Sequence, residues 1–179
     1  YDYKSYSVIS IGAQAFKGCT DLTSINIQGE VISVGNEAFM NCSSLNSVNL
    51  NSGITSLGQS TFENCTSLTT LDLPESLESI PYKAFASCSS LSSINFPSNL
   101  REIGQDAFSG CLNLTSVSIP SSVTSLVGDA FENTGWFEDQ LNGVLYLDNC
   151  CLGYKGGKPQ GSLSIKEGTR LIAGSAFSD

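Results

Sequence analysis

The chain has 179 residues, 40% of them hydrophobic and only 14% charged, with a net charge of −9 from 17 acidic against eight basic side chains. So few Lys and Arg argue against a basic patch for nucleic acid or an anionic membrane, and no run approaches the roughly 18 apolar residues of a membrane span. Histidine is absent, which excludes every His-dependent triad and zinc-hydrolase motif.

In chain order, the opening "YDYKSYSVIS" has no Met and no visible signal peptide, so the chain is expected to be a fragment of a longer protein. From Val8 it repeats. Phe16, Phe39, Phe62, Phe85, Phe108 and Phe131 are each 23 residues apart, and Phe177 falls two periods after Phe131. With each Phe as position 1, position 4 is Cys19, Cys42, Cys65, Cys88 and Cys111, then Thr134. Position 7 is always Leu, from Leu22 to Leu114. Positions 10 and 12 are apolar between polar neighbours, as in "TSINI" and "TTLDL", which is the period of a strand. Pro74, Pro97 and Pro120 follow, and a proline ends a ladder because it cannot donate.

The predicted strands are therefore 24–27, 47–50, 70–73, 93–96, 116–119 and 162–165, side by side in one parallel sheet. Position 20, Gly in four coils and Pro81 in another, predicts a turn. "GNEAFMNC" and its equivalents predict short helical or 3-10 turns from apolar spacings of three to five. One such unit cannot bury enough apolar surface to offset its chain entropy. Stacked neighbours must cover both faces of each coil, which is the logic of a solenoid.

Between Thr134 and Leu163 the register is interrupted by one extra period. Residues 135–161 read as an insert, with a β-hairpin over Gly143–Gly156 about Asp148-Asn149 and a loop, "KGGKPQGS". Register returns with Leu163, Ile165, Ile172, Ala176 and Phe177. Trp136, the single tryptophan, reads as a plug over the core exposed by the interruption, or as a binding aromatic. Cys150 and Cys151 lie outside the register, and as strand neighbours one should be buried and one exposed.

The pattern of "LTTLDLPESLESIPYKAFASC" (Leu68–Cys88) and "LSSINFPSNLREIGQDAFSGC" (Leu91–Cys111) resembles the BspA-like, treponemal-type leucine-rich repeats of bacterial surface proteins. The resemblance runs from Val8 to Phe131 and resumes at Leu163; the insert also resembles an interruption seen in BspA-like proteins of gut bacteria. It implies a right-handed leucine-rich-repeat solenoid, a single domain over 1–179, with the parallel sheet on its concave face and short turns opposite. It implies a secreted or surface-anchored protein of a host-associated bacterium, lipid-anchored to an outer membrane in one version, and a role in adhesion. No catalytic residue carries over.

The recurring cysteines lack the convergent spacing of a metal site, and side chains in one ladder point in parallel. Cys19, Cys42, Cys65, Cys88 and Cys111 are therefore expected to be buried, reduced packing groups. A serine hydroxyl at Cys65 would then have no assured partner. Free thiols on a secreted protein fit an anaerobic habitat. No cofactor and no metal is expected.

Two outward surfaces remain for binding. The strand-face positions are Ser24, Asn26, Ser47, Asn49, Thr70, Asp72, Ser93, Asn95, Ser116 and Ser118, continued by Ser162 and Ser164: polar, nearly uncharged, and without Trp, Tyr or Arg anchors. The insert holds Trp136, Tyr146, Tyr154, Lys155 and Lys158, the densest aromatic and basic group of the chain. The expected function is a non-catalytic, monomeric surface module that binds protein or glycan on cells or host matrix, without nucleic acid and without insertion into the membrane. The alternative is a structural spacer or glycan-capturing accessory that displays another domain.

Overall fold

The computed structural model describes residues 7–157 and 159–178. Its elements are β1 (Ser10–Ile11), β2 (Ser24–Asn26), β3 (Ser33–Val34), β4 (Ser47–Asn49), β5 (Ser56–Leu57), β6 (Thr70–Asp72), β7 (Ser79–Ile80), β8 (Ser93–Asn95), β9 (Glu102–Ile103), β10 (Ser125–Leu126), a 3-10 turn (Gly128–Phe131), α1 (Gly135–Glu138), β11 (Gly143–Leu147), β12 (Cys150–Lys155) and β13 (Leu171–Ile172). The chain is a parallel-strand solenoid of leucine-rich-repeat type, as the register requires. Equivalent residues of successive coils lie beside each other: Ile25 pairs with Val48, and Leu71 with Ile94.

The core is the set of inward positions stacked along the axis. Phe39, Phe62, Phe85 and Phe108 are fully buried, as are Leu45, Leu68 and Leu91. The phenylalanine rings from Phe16 to Phe131 form one column, with centroids 5.1 to 5.7 Å apart and planes within 12° of parallel. Each buried Phe contributes about 2–3 kcal/mol from burial alone.

The predicted single sheet is replaced by two rows. Four of the six expected strands form, as β2, β4, β6 and β8. Residues 116–119 do not: no backbone hydrogen bond joins them to β8, and on their other side the Asp148 carboxylate accepts from Ile119 N–H at 2.7 Å and from the Ser118 hydroxyl at 3.3 Å. Residues 162–165 do not either, and Leu163 and Ile165 remain 40% and 39% exposed. The second row, β1-β3-β5 and β7-β9-β10, occupies the approach to the expected turn. Its strands are two residues long, a polar side chain outward and an apolar one inward, too short for alternation to announce a strand.

A third row of hydrogen bonds explains why the predicted helical turns are not helices. Glu37, Phe39 and Asn41 donate their N–H groups to Gln59, Thr61 and Glu63 of the next coil, at 2.8–2.9 Å, while Ala38, Met40 and Cys42 bond within their own coil. Helical backbone would aim every N–H along its own axis. Left-handed residues turn every second one outward: φ is +56° at Glu37, +64° at Asn41, +54° at Ser60 and +60° at Asn64. Each non-glycine residue so held costs about 1–2 kcal/mol, which the inter-coil bonds offset. Among the described residues, 3-10 geometry is confined to Gly128–Phe131.

Both strand rows break between the same two coils. Gly35, Gly58 and Gly104 each donate to the coil before, at 2.7–2.8 Å. Gly58 lies so close to that coil that a Cβ would sit 2.2 Å from Asn36 N. Pro81 stands at the equivalent place and has no N–H to donate, so Leu57 C=O goes without that bond and β5 and β7 are not paired. On the first row β4 and β6 are likewise unpaired. Phe62 and Phe85 are the widest pair of the column, at 5.7 Å. The coils stay joined there by the third row, through Ser60, Phe62 and Asn64.

The insert is the antiparallel hairpin the sequence predicts, with Leu147 opposite Cys150 and a bulge between Leu145 and Tyr146. β12 then pairs in parallel with β13, and Val127 bridges to Gly174. Arg170 donates to the C=O groups of Val123 and Pro120. Asp148 and Arg170 thus occupy backbone groups that a regular coil would have occupied.

The seam makes a local prediction. Amide hydrogens of Leu50 and Thr69 should exchange at least about tenfold faster than those of Ile27 and Ser92, which donate to Asn49 and Thr69 C=O at 2.9 Å, because opening is cheapest where pairing is missing. Equal protection at all four would show that the seam is closed in solution.

Candidate functional site

The recurring thiols are positioned by the third row. Cys42, Cys65, Cys88 and Cys111 are fully buried, and their S–H groups donate to the C=O of Phe16, Phe39, Phe62 and Phe85 in the preceding coil, at 3.0–3.2 Å. The same carbonyls accept the N–H of the cysteine three residues on, as in Cys42 to Phe39 and Cys65 to Phe62, both at 3.1 Å. A carbonyl has two lone pairs, and here both are used. Burial pushes Cys65 and Cys111 from the ordinary 9.0 up to about 12, and Cys88 well above it. Among the described residues no three His, Cys, Asp or Glu side chains gather as a metal site.

Three expectations change. Cys19 is exposed, because among the described residues no coil precedes its own and covers it. Cys150 and Cys151 are both buried, since the hairpin is covered on both faces: Cys150 contacts Arg170 through Sγ at 3.3 Å. A hydroxyl at Cys65 would have a partner, Phe39 C=O.

In the insert, the structure separates the residues that the sequence clusters. Trp136 is 9% exposed and part of the core, its backbone N–H donating to Leu114 C=O at 2.8 Å. The Thr134 hydroxyl caps α1 by accepting from Phe137 N–H. The Tyr146 hydroxyl accepts from Lys166 N–H at 2.8 Å. Lys155 closes the other end of α1, donating to Phe137 and Glu138 C=O at 2.8 Å each with its ammonium over the Phe137 ring. Tyr154 is left to line a small cleft of ≈ 170 Å³ with Asp129, Glu132 and Ser175. Lys158 lies outside the described residues.

On the strand face, Ser24, Asn26, Ser47, Asn49, Thr70, Asp72, Ser93 and Asn95 point outward and are exposed. Ser116 and Ser118 are exposed on the unpaired segment beyond them, as are Ser162 and Ser164 further along the chain. The Asn95 amide donates to Asp72 Oδ1 at 2.8 Å. Ser47, Asn49, Thr70 and Asp72 meet at the seam, around a cleft of ≈ 290 Å³.

A larger cleft, ≈ 380 Å³, lies along the second strand row and is lined by Gln59, Tyr82, Glu102 and Gln105 among others. Sequence reasoning missed it because that row was read as a turn. The available signal was Tyr82 itself, an aromatic where the equivalent positions hold Ala13, Asn36, Gln59 and Gln105.

Coils with one strand on each of two rows and a buried Leu-Phe-Cys column define a repeat-scaffold protein. Residues 9–136 match six copies of the BspA type leucine rich repeat region, and the chain belongs to that family. It is similar to a T. pallidum leucine rich repeat protein, 33% identical over 70% of this chain and 59% of that one, with a TM-score of 0.68. A leucine rich cell surface protein of Faecalibacterium prausnitzii A2-165 is 35% identical over 62% of this chain and 29% of the other, TM-score 0.60. A leucine-rich repeat protein of Bacteroides ovatus ATCC 8483 is 36% identical over 73% and 38%, TM-score 0.56. This chain therefore spans less than two thirds of each of these three relatives. No curated protein matches it significantly.

Thiol reactivity should follow the coil geometry. In the folded protein at pH 8, Cys19 should label with a maleimide or disulfide reagent at least about a hundredfold faster than Cys65, Cys88 or Cys111, since only an exposed thiolate attacks. The pH dependence has a defined sign. Below about pH 9 the thiols are protonated in both states. Above it the unfolded thiols ionise while the folded ones do not, so the folded state binds more protons and stability falls with rising pH, by about 1.4 kcal/mol per unit per thiol until the folded values near 12 are reached. Urea midpoints from pH 8 to pH 11 measure it; a flat profile would contradict buried, protonated thiols.

Proposed function

We propose that the chain is a non-catalytic interaction module of a bacterial cell-surface protein, which binds protein or glycan ligands on other cells or host matrix through its outward rows. The observation that supports this is the division of labour within each coil. Inward side chains pack, the third row joins coil to coil, and the exposed side chains of the strand face, with exposed cleft residues such as Tyr82 and Glu102, have no structural duty comparable to Phe, Leu or Cys. Family membership and the cell-surface description of the Faecalibacterium relative support the location. No helix of the described residues is long and apolar enough to cross a membrane.

The strand-face cleft about Asn49 and Asp72 and the Tyr154 cleft are the proposed contact regions. Both are small and polar, so a single module binds weakly, and repetition along a longer array supplies avidity. A spacer or accessory role is the second reading; the uniform Ser and Asn rows of the strand face, without an aromatic or Arg anchor, favour it.

Surface plasmon resonance on an immobilised set of extracellular-matrix proteins tests the module reading. The 179-residue chain should bind at least one of them, and Asn49→Arg/Asn95→Arg or Tyr154→Ala should weaken that binding by about tenfold. Lys155 is unsuitable as a probe because it holds α1. Binding that neither variant changes would remove both regions, and no binding at all would favour the spacer.

A further inference from the structure

We propose that the cleft along the second strand row is a saccharide site, with Tyr82 as its platform and neutral pyranose rings as its ligand. The cleft holds ≈ 380 Å³, at the low end of the roughly 300–1,000 Å³ usual for small-ligand sites, and exceeds the strand-face and Tyr154 clefts at ≈ 290 and ≈ 170 Å³. It crosses several coils. Gln59, Tyr82 and Gln105 stand at the same place in three successive coils, so at a coil spacing of about 4.8 Å they span about 10 Å, longer than one pyranose ring. Ser79 and Glu102 form the facing row, and Pro81 lies among the lining residues.

The chemistry of the lining selects the ligand. Tyr82 is 38% exposed, an aromatic surface left open to solvent in the middle of the regular coils. Its ring has a negative face, which attracts the polarised C–H groups of a sugar. The Lys83 ammonium lies 5.2 Å from the ring centroid, a cation–π contact that holds one face and leaves the other for stacking. Gln59 and Gln105 each offer a carbonyl acceptor and an NH₂ donor, and Ser79 offers a hydroxyl that does both. Glu102 forms no ion pair among the described residues, so its carboxylate is free to accept two hydroxyl protons. Alternating donors and acceptors around an aromatic plane suit a polyol, in which every hydroxyl both donates and accepts. An anionic ligand is disfavoured: Glu102 faces the cleft and the chain carries a net charge of −9. The rest of the lining is divided between polar side chains and the apolar Ile80, Pro81 and Val127, which suits a ring with both hydroxyls and C–H faces better than a purely apolar anchor.

The cleft also coincides with the seam. Pro81 removes the hydrogen bond that would have joined β5 to β7, beside Tyr82. The substitution that interrupts the backbone row therefore adjoins the one that places an aromatic on its outer face.

Isothermal titration of the 179-residue chain with cellohexaose, laminarihexaose, mannohexaose and chitohexaose tests the proposal. At least one should bind. Tyr82→Ala should weaken that binding by at least about tenfold, Tyr82→Phe should retain it within about threefold because stacking needs no hydroxyl, and Gln59→Ala/Gln105→Ala should fall between. Leu141→Ser, at an exposed position that lines none of the three clefts, should leave it unchanged. Tyr82 is at the surface, so circular dichroism of these variants should match the parent. If none of the four oligosaccharides binds, or if Tyr82→Ala leaves affinity unaltered, the assignment is wrong. Matrix-protein binding that persists without oligosaccharide binding overturns the saccharide site and leaves the interaction module standing. Matrix-protein binding lost in Tyr82→Ala without oligosaccharide binding assigns the cleft to a protein ligand and equally overturns it.

Discussion

The structure depends on a backbone carbonyl shared between coils. Phe39 C=O accepts Cys42 N–H from its own coil and Cys65 S–H from the next, and the same arrangement recurs at Phe16, Phe62 and Phe85. A buried carbonyl left with one lone pair idle is tolerable; a buried donor with no acceptor is expensive. The thiol is a weak donor that can lie against an apolar wall at little cost and still find this acceptor. That is why a cysteine keeps the 23-residue schedule without any chemistry of its own. Thr134 shows the requirement from the other side: at the last regular coil its hydroxyl turns to Phe131 C=O of its own coil, at 2.7 Å, and then caps α1.

The third row also sets what may vary. Its left-handed residues carry side chains as different as Glu37, Ser60, Lys83 and Asp106, so the conformation is imposed by inter-coil bonding and not by local preference. Glycine would adopt it more cheaply, but the neighbouring coil already holds the backbone in place. With this row intact, the strand rows can be cut without separating the coils. Pro81 cuts one. The insert cuts the first row more deeply, while the second resumes across it at Val127 and Gly174, and the chain answers with polar side chains: the Asp148 carboxylate takes the place of a strand carbonyl at Ile119, and the Arg170 guanidinium donates to Val123 C=O, where Asn51 and Ser76 side chains serve the equivalent carbonyls of regular coils.

Periodicity made the solenoid, the first strand row, the hairpin and the core legible in the sequence, because each rests on side-chain identity repeated at fixed spacing. Phe39 or Leu68 can be placed inside from the sequence alone. The second and third rows were not legible, because they rest on backbone geometry: two-residue strands have no measurable alternation, and a left-handed Glu37 looks like any other Glu37. The residues of the insert illustrate a different limit. Trp136, Tyr146 and Lys155 form a cluster in sequence and look like a binding surface, yet each has an internal partner that only folding reveals. Cys19 and Cys42 are identical in their repeats and differ in exposure because, among the described residues, only the coil of Cys42 has a neighbour on both sides.

A repeat makes functional residues visible as departures from a pattern whose physical cause is known. At inward positions a departure signals a packing defect or a terminus, as with Thr134. At outward positions the packing argument is silent, so a departure there needs another cause. Ser, Thr and Asn succeed one another along the first strand row, and the one departure in charge, Asp72, has its carboxylate engaged by the Asn95 amide. Along the second row, Asn36 and Gln59 give way to Tyr82 and then to Gln105. An exposed aromatic ring gains little stability from its half-buried surface, and beside Pro81 it adjoins a coil boundary that already lacks hydrogen bonds. Stability of the solenoid does not account for that pairing, whereas recognition of a ligand lying along the axis would use both the ring and the loosened row beside it.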